Sequence, residues 1–276
     1  MPNKMKIAIT GADGFLGKAV VKLLEDKKIP YTTLDRKKHN LLNSKSLKSL
    51  ISRKDIIIHL AAVNRGENIE LFKVNTLGTL NLLEATSKYA PGSRIIFSST
   101  FQVYQNSGLY GLSKKTTEDL ITEYTKKTDL KGTIFRISNI YGPGGKPFYN
   151  SVIATFAHLI KTGKPITING DGSQKRDFIY VDDVVKAIIK ASLHKPHKPL
   201  EIIDICSGQE ITLNEVLKIL KIVSGKNFEI LYNNGVKEKP CPTSSKNFQK
   251  AKSLLNWEPT TSLKKGLAAV MKYKQA

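Results

Sequence analysis

The stretch KIAITGADGFLG, Lys6 to Gly17, decides the fold of this chain. Its first part, KIAIT, reads as a buried strand and runs straight into a turn with glycine at positions 11, 14 and 17, where an apolar helical pattern begins at Phe15. Missing side chains let the backbone of such a turn approach a pyrophosphate, whose charge meets the N-terminus of the helix that follows. A glycine motif alone fits a tight turn with close helix packing equally well. The strand before it and the helix after it supply the context that a dinucleotide fingerprint needs. Gly11, Asp13, Gly14, Phe15, Leu16 and Gly17 are therefore candidate cofactor contacts.

Outward from this turn, short β-branched runs alternate with longer helical patterns. Lys6 to Thr10, Tyr31 to Asp35, Ile56 to Leu60, Arg94 to Ser99 and Gly132 to Ile137 read as strands apolar enough to be buried on both faces. Between them, helices are predicted over Phe15 to Lys28, Ser44 to Ser52, Asn68 to Tyr89 and Tyr110 to Lys127. The alternation predicts an α/β protein with a Rossmann-like, doubly wound parallel sheet. From YGPGGKP, Tyr141 to Pro147, the rhythm changes to shorter elements between glycine and proline turns, which predicts a smaller, discontinuous C-terminal lobe. The expected division is a dinucleotide-binding domain over residues 1–140 and 182–206, and a substrate lobe over 141–181 and 207–276.

Asp35 closes the second strand, placed to accept hydrogen bonds from the adenosine ribose hydroxyls and to repel a 2′-phosphate, which favours NAD. Arg36 beside it leaves room for NADP, since a guanidinium pairs with that phosphate.

At 276 residues the chain is long enough for one large domain or two lobes. A net charge of +21 suits nucleic acid, a membrane surface or an anionic small substrate. Most of that excess is scattered lysine, whereas base and phosphate recognition favours arginine, so a solvated lysine-rich surface is expected and no nucleic-acid partner. Cys206 and Cys241 lie far apart, with neither a CxxC pair nor a histidine at metal spacing, which argues against a disulfide framework and against a metal site. No apolar run reaches bilayer length and the N-terminus enters a strand directly, so the expectation is a cytoplasmic protein without membrane partners.

In LYGLSKKTTEDL, Leu109 to Leu120, Tyr110 and Lys114 stand four residues apart and share one face of a helix. Taken alone, that pair reads as an ordinary solvated face. The chain as a whole resembles an extended short-chain dehydrogenase/reductase of the nucleotide-sugar epimerase and dehydratase family, nearly from end to end. The resemblance is carried by TGADGFLG, HLAA (His59 to Ala62), VNTLGTLNLLEA (Val74 to Ala85), FSSTFQVY (Phe97 to Tyr104), YGLSK (Tyr110 to Lys114), FRISNIYGPG (Phe135 to Gly144), GDGSQKRDFIYVDDV (Gly170 to Val184) and LLNWEPTTSLKKGL (Leu254 to Leu267).

That resemblance implies roles. Tyr110 would be the acid/base and Lys114 the residue that holds the nicotinamide ribose and lowers the phenol's pKa; a free phenol titrates near 10, so a neighbouring cation is needed for proton exchange near neutrality. Thr100 would hydrogen-bond the reacting sugar oxygen. Leu60, Ala61 and Ala62 would line the adenosine, Asn75 would support the cofactor region or simply brace its helix, and Ile137 would lie along the cofactor. Asn40 with Leu41 stands where many relatives carry an Asp before an apolar residue against the adenine. Asn139 and Arg176 match residues directed at the nucleotide diphosphate, and Tyr149 and Asn150 follow the glycine-rich turn toward the sugar. Trp257 is expected to be a core anchor.

The departures narrow the reaction. Where 4,6-dehydratases follow the threonine with Asp-Glu, this chain has Phe101 and Gln102, and neither supplies the carboxylate that water elimination requires. KEKPCPTSSKNFQKAK lacks the Arg-x-x-Asp of many epimerases, and the stretches AAVNRGENIELF and PFYNSVIATFAHLI look more like nucleotide-sugar 4-ketoreductases of polysaccharide synthesis, although the GDGSQKRDF block is typical of epimerases. The expected function is an NAD-dependent nucleoside-diphosphate-sugar 4-epimerase, with a nucleotide 4-keto-sugar reductase as the alternative. A non-catalytic dinucleotide-binding module is the contrasting class, opposed by the intact Thr100, Tyr110, Lys114 set. A homodimer through the helices at 68–89 and 110–127 is also implied.

Overall fold

The computed structural model describes residues 5–105, 108–149, 151–233 and 248–273. Asn150, Cys241 and most of the KEKPCPTSSKNFQKAK segment lie outside the described residues. In chain order the elements are β1 (Ile7–Thr10), α1 (Phe15–Asp26), β2 (Tyr31–Thr33), α2 (Lys48–Ile51), β3 (Ile56–His59), α3 (Asn68–Phe72), α4 (Gly78–Tyr89), β4 (Arg94–Thr100), α5 (Leu109–Lys127), β5 (Lys131–Ile137) and β6 (Asn139–Tyr141). They continue with α6 (Val152–Thr162), β7 (Ile166–Asn169), β8 (Lys175–Tyr180), α7 (Val181–Leu193), β9 (Leu200–Ile205), β10 (Glu210–Thr212), α8 (Leu213–Ser224), β11 (Ile230–Asn233), α9 (Phe248–Leu255) and α10 (Leu263–Lys272). The chain forms two compact units, Met1–Arg136 with Val185–Ile203, and Ile137–Val184 with Asp204–Ala276.

The first unit is built on a six-stranded parallel sheet in the order β2-β1-β3-β4-β5-β9. β1 lies between its two partners, with Ile7 opposite Tyr31 of β2 and opposite Ile56 of β3. Strand order therefore reverses between β1 and β3, and loops that leave two such strands diverge and open a crevice at the carboxyl end of the sheet. Every residue of β1 and of β3 is buried, which is why both read as unbroken apolar runs. The core beneath them gathers Leu82, Ile95, Phe97, Ile121 and Ile134.

Three elements differ in detail from the sequence expectation. The helix expected over Asn68 to Tyr89 is interrupted by a π-helical turn at Lys73–Leu77, and the one over Ser44 to Ser52 begins as a 3₁₀ turn at Ser44–Leu47 before α2. Periodicity is blind to a one-residue change of winding, because the apolar stripe survives it. β2 stops at Thr33, which leaves Asp35 beyond the strand.

The second unit holds a three-stranded sheet, β10-β8-β6, and a parallel pair, β11-β7. Its own core packs Tyr141, Phe156, Ile166, Leu217 and Leu267. Trp257 is buried and its indole N–H donates to the Asp183 carbonyl at 2.8 Å, while the Asp183 carboxylate accepts from the Thr260 hydroxyl and the Thr261 N–H, each at 2.9 Å. The tryptophan is thus a core anchor with its one polar atom satisfied. Among the described residues no helix is long and apolar enough to cross a membrane.

Candidate active site

The glycine turn is held by space as well as by backbone conformation. Gly11 has φ +75° and a Cβ there would sit 2.5 Å from the Ala61 nitrogen; at Gly17 a Cβ would meet the Gly11 carbonyl at 2.0 Å. Only glycine lets the turn, the loop after β3 and the start of α1 approach so closely. Gly14 precedes α1 without a side-chain cap, and no acidic residue occupies the helix's first turn. The first amide N–H groups of α1 thus face no competing anion from their own helix, which fits a pyrophosphate.

Just beyond β2, Asp35 Oδ1 accepts the Lys37 N–H at 2.9 Å and Oδ2 lies 3.9 Å from Lys38 Nζ, with Arg36 exposed beside it. Asn40 turns its Oδ1 onto the Leu42 N–H at 2.8 Å, and the Leu41 carbonyl takes the Asn81 amide at 2.9 Å. The Asn40 oxygen is thus engaged in its own turn, as asparagine commonly is. Leu60 and Ala61 are half-buried just past β3, and Ala62 and Asp13 are exposed.

Behind this loop runs a hydrogen-bond chain that periodicity does not reveal. The Ala61 N–H donates to Thr10 Oγ1 at 3.3 Å, the Thr10 hydroxyl to His59 Nδ1 at 2.6 Å, His59 Nε2–H to Thr79 Oγ1 at 2.8 Å, and the Thr79 hydroxyl to the Asn75 carbonyl at 2.6 Å. The direction follows from the end, because a carbonyl only accepts. Burial, with the Lys114 charge added, pushes His59 down to about 3, so the ring stays neutral and the chain keeps its sense. Asn75 sits in the π-helical turn, and its carbonyl accepts Thr117 Oγ1–H at 3.0 Å as well as Thr79. Its side chain accepts the Val63 N–H at 2.8 Å and donates to the Val63 carbonyl at 2.7 Å and to Ser113 Oγ at 3.0 Å. Asn75 therefore braces the loop after β3 against α5.

Thr100 ends β4 and caps a 3₁₀ turn, Phe101–Tyr104, its Oγ1 accepting the Gln102 N–H at 3.3 Å. Accepting there uses a lone pair and not the hydroxyl proton. Phe101 is buried in the core and Gln102 is exposed, so the turn carries no acid. Gly111 lets the first turn of α5 press onto this segment, since a Cβ there would lie 2.9 Å from the Gln102 carbonyl. Tyr110 thus begins the helix beside the turn that Thr100 caps. Lys114, one turn on, is 2% exposed; its Nζ donates to the Ser98 carbonyl at 2.7 Å, 4.5 Å from the Phe97 ring centroid and 5.9 Å from that of Tyr110. Burial pushes its pKa down to about 7, against the upward pull of Glu118.

Sequence reasoning missed Glu118 and Arg136. Glu118 is buried one further turn along α5 and accepts from Ser99 Oγ at 2.5 Å, from Arg136 Nε at 3.1 and 3.2 Å, and from Arg136 Nη2 at 2.6 Å. Arg136 lies with its guanidinium carbon 4.7 Å from the Tyr104 ring centroid. Burial opposes its charge, but the bonds to Glu118 and Tyr104 prevail and hold its pKa above the ordinary arginine value. The only sequence signal was the 110, 114, 118 spacing on one helix face.

Of the remaining expected site residues, Asn139, Tyr149 and Arg176 belong to the second unit, as does buried Ile137. The Asn139 amide donates to the Asp177 carbonyl at 3.0 Å, Arg176 of β8 donates to the Lys175 carbonyl at 2.9 Å, and Tyr149 is exposed with Lys146 Nζ 5.9 Å from its ring centroid.

A parallel sheet that reverses order beside a glycine turn, with a tyrosine and a buried lysine one turn apart on α5, defines a Rossmann-type dinucleotide protein of the dehydrogenase kind. The model of the NAD dependent epimerase/dehydratase family matches residues 7–206, and the chain belongs to that family. It is 31% identical, over 98% of both chains, to an uncharacterised UDP-glucose epimerase of Bacillus subtilis. It is also 34% identical, over 67% of its own length and 49% of the relative's, to UDP-2-acetamido-2,6-beta-L-arabino-hexul-4-ose reductase of Pseudomonas aeruginosa. Among solved structures, the UDP-glucose 4-epimerase of Thermotoga maritima with UDP-glucose superposes with a TM-score of 0.84 at 29% identity, covering 98% of each chain.

Proposed function

We propose that this protein is an NAD-dependent nucleoside-diphosphate-sugar 4-epimerase. The first unit takes the dinucleotide on the glycine turn, Gly11 to Gly17, with Asp35 at the ribose; the second carries Asn139, Tyr149, Asn150 and Arg176 for the nucleotide sugar. The nicotinamide supplies the hydride chemistry. Tyr110 removes the proton from the sugar C4 hydroxyl and returns it to the same oxygen after the 4-keto sugar has presented its other face. Thr100 donates its hydroxyl proton to that oxygen, and Lys114 keeps positive charge beside the phenol when protonated. The observation that carries the reading is Lys114, 2% exposed and held on the strand that ends in Thr100, one helical turn from Tyr110. Burying an ammonium is costly, and a buried lysine with a lowered pKa beside a tyrosine supports a functional site.

A homodimer belongs to the same proposal. Ile69 and Leu77 before α4, and Leu109 and Leu112 at the start of α5, are exposed apolar side chains on the two helical segments expected to meet a partner.

A 4-keto-sugar reductase is the second reading, supported by the similarity to the Pseudomonas aeruginosa reductase. Incubation with a panel of UDP-, dTDP- and GDP-hexoses and NAD separates the two. An epimerase interconverts one C4 pair with no accumulation of NADH. Stoichiometric oxidation of NAD(P)H by a 4-keto-6-deoxy sugar nucleotide, without hexose interconversion, overturns the epimerase in favour of the reductase.

A further inference from the structure

Tyr110, Lys114 and Glu118 form one stripe along α5, and the stripe packs on β4 in an alternating way. Lys114 Nζ holds the carbonyl of Ser98, and the carboxylate of Glu118 takes the hydroxyl of the next residue, Ser99, immediately before Thr100. Glu118 is as deeply buried as Lys114, and Arg136 of β5 is the cation that meets it, through both carboxylate oxygens. We propose that Arg136 is a charge-setting and positioning residue: by neutralising Glu118 behind the helix face, it fixes how readily the Tyr110–Lys114 pair gives up its proton. The proposal rests on reading Tyr110 and Lys114 as the proton-exchanging pair.

The physical argument is one of distance and sign. Residues four apart on a helix are neighbours, with Cβ atoms about 5–6 Å apart, so a bare carboxylate at Glu118 acts on Lys114 through the protein interior. An unneutralised anion at that distance stabilises every nearby protonated form and raises the proton-loss midpoint by about one to two pH units. A bidentate guanidinium offsets part of that field, leaving the residual upward pull of Glu118 on Lys114, while keeping both carboxylate oxygens bonded, which lysine's point charge does less completely. The other groups facing Lys114 leave this control with Arg136. Tyr110 is its partner on α5, His59 from β3 stays neutral across the working range, and β4 presents only the Ser98 carbonyl and the Phe97 ring. Tyr104, after β4, covers the guanidinium and not the ammonium. Tyr104 also holds Arg136, with its ring centroid 4.7 Å from the guanidinium carbon and a hydrogen bond between the two side chains, so the 3₁₀ turn that begins at Thr100 and the charge that tunes Lys114 share one set of contacts.

The test reads Lys114 directly, without substrate. The side-chain carbon signal of Lys114, assigned by its absence in Lys114→Met, is titrated by NMR in the ligand-free protein. Relative to the unmodified protein, the midpoint is expected to rise by about one to two pH units in Arg136→Met and to fall in Glu118→Gln, where the arginine is left uncompensated. It should return to within about half a unit in the neutral pair Glu118→Gln/Arg136→Gln, which also keeps the test open if Arg136→Met does not fold. Arg136→Lys should stay close to the unmodified midpoint, because it keeps the charge. A midpoint that does not move, single variants that move it in the same direction, or Arg136→Lys behaving as Arg136→Met overturns the proposal. The acid limb of kcat/KM should follow the same directions. If the NMR midpoints move as expected and no sugar nucleotide is turned over, the functional reading fails while the charge-setting role stands.

Discussion

Lys114 and Lys115 are neighbours in sequence on one helix, and they live in different media. Lys114 is buried on the Ser98 carbonyl with its pKa pushed down to about 7 by burial, whereas Lys115 is half-exposed and paired with Asp119 one turn along. Farther along, Glu118 is buried against Arg136, while Glu123 sits in water with Lys126 at 2.8 Å and Lys127 at 3.6 Å. The same kinds of charge recur on both faces of one helix. Desolvation makes the difference: a charge in water is screened and interchangeable, but a charge in the interior must be matched, shifted or used. On the reading proposed above, the buried stripe is where charge acts on chemistry, and the solvated stripe is helix surface.

The largest effect should come from removing the proton at the head of the buried stripe. Tyr110→Phe keeps the ring and is expected to lower turnover by roughly a hundred- to ten-thousand-fold, with NAD affinity nearly unchanged by calorimetry. Near-normal turnover would erase the distinction between the two faces.

Lys114→Met should be smaller and opposite in sign for stability. The lysine titrates at about 7 when folded against 10.5 as the ordinary value. Below pH 7 both states are protonated and the folded protein bears the full cost of a buried ammonium; between those values the unfolded chain binds more protons, so stability rises with pH. Replacing the ammonium with a thioether is therefore expected to stabilise the ligand-free protein by about 1–3 kcal/mol at pH 6, with the gain fading toward pH 10. Thermal unfolding of both proteins at pH 6, 8 and 10 checks it, and a variant that is less stable at pH 6 contradicts it.

On the solvated face the expectation is near silence. Lys115→Ala should change stability by less than about 0.5 kcal/mol and leave the rate alone, the modest coupling to Asp119 vanishing in high salt. A loss above 1 kcal/mol by urea unfolding would show that this face also carries structure.

What the sequence determined by itself was local. The glycine turn at Gly11, Gly14 and Gly17, the apolar runs that became β1, β3 and β4, and the placing of Tyr110 and Lys114 on one face all depend on residues within a few positions of each other, where backbone geometry alone dictates who neighbours whom. The tertiary structure decided the partners. Arg136 reaches Glu118 across 18 residues, His59 meets Thr10 across 49, and Asn75 meets Ser113 across 38, and each of these meetings depends on strand order and helix packing that no periodicity encodes. The Asn40 oxygen bound in its own turn is local by contrast, since it reaches only two residues ahead, and a family-derived role at the adenine masked the ordinary behaviour of an asparagine. A side chain's medium is set by what the rest of the chain brings against it, and for Lys114 the medium, more than the residue type, is what turns an ordinary helical lysine into a candidate for chemistry.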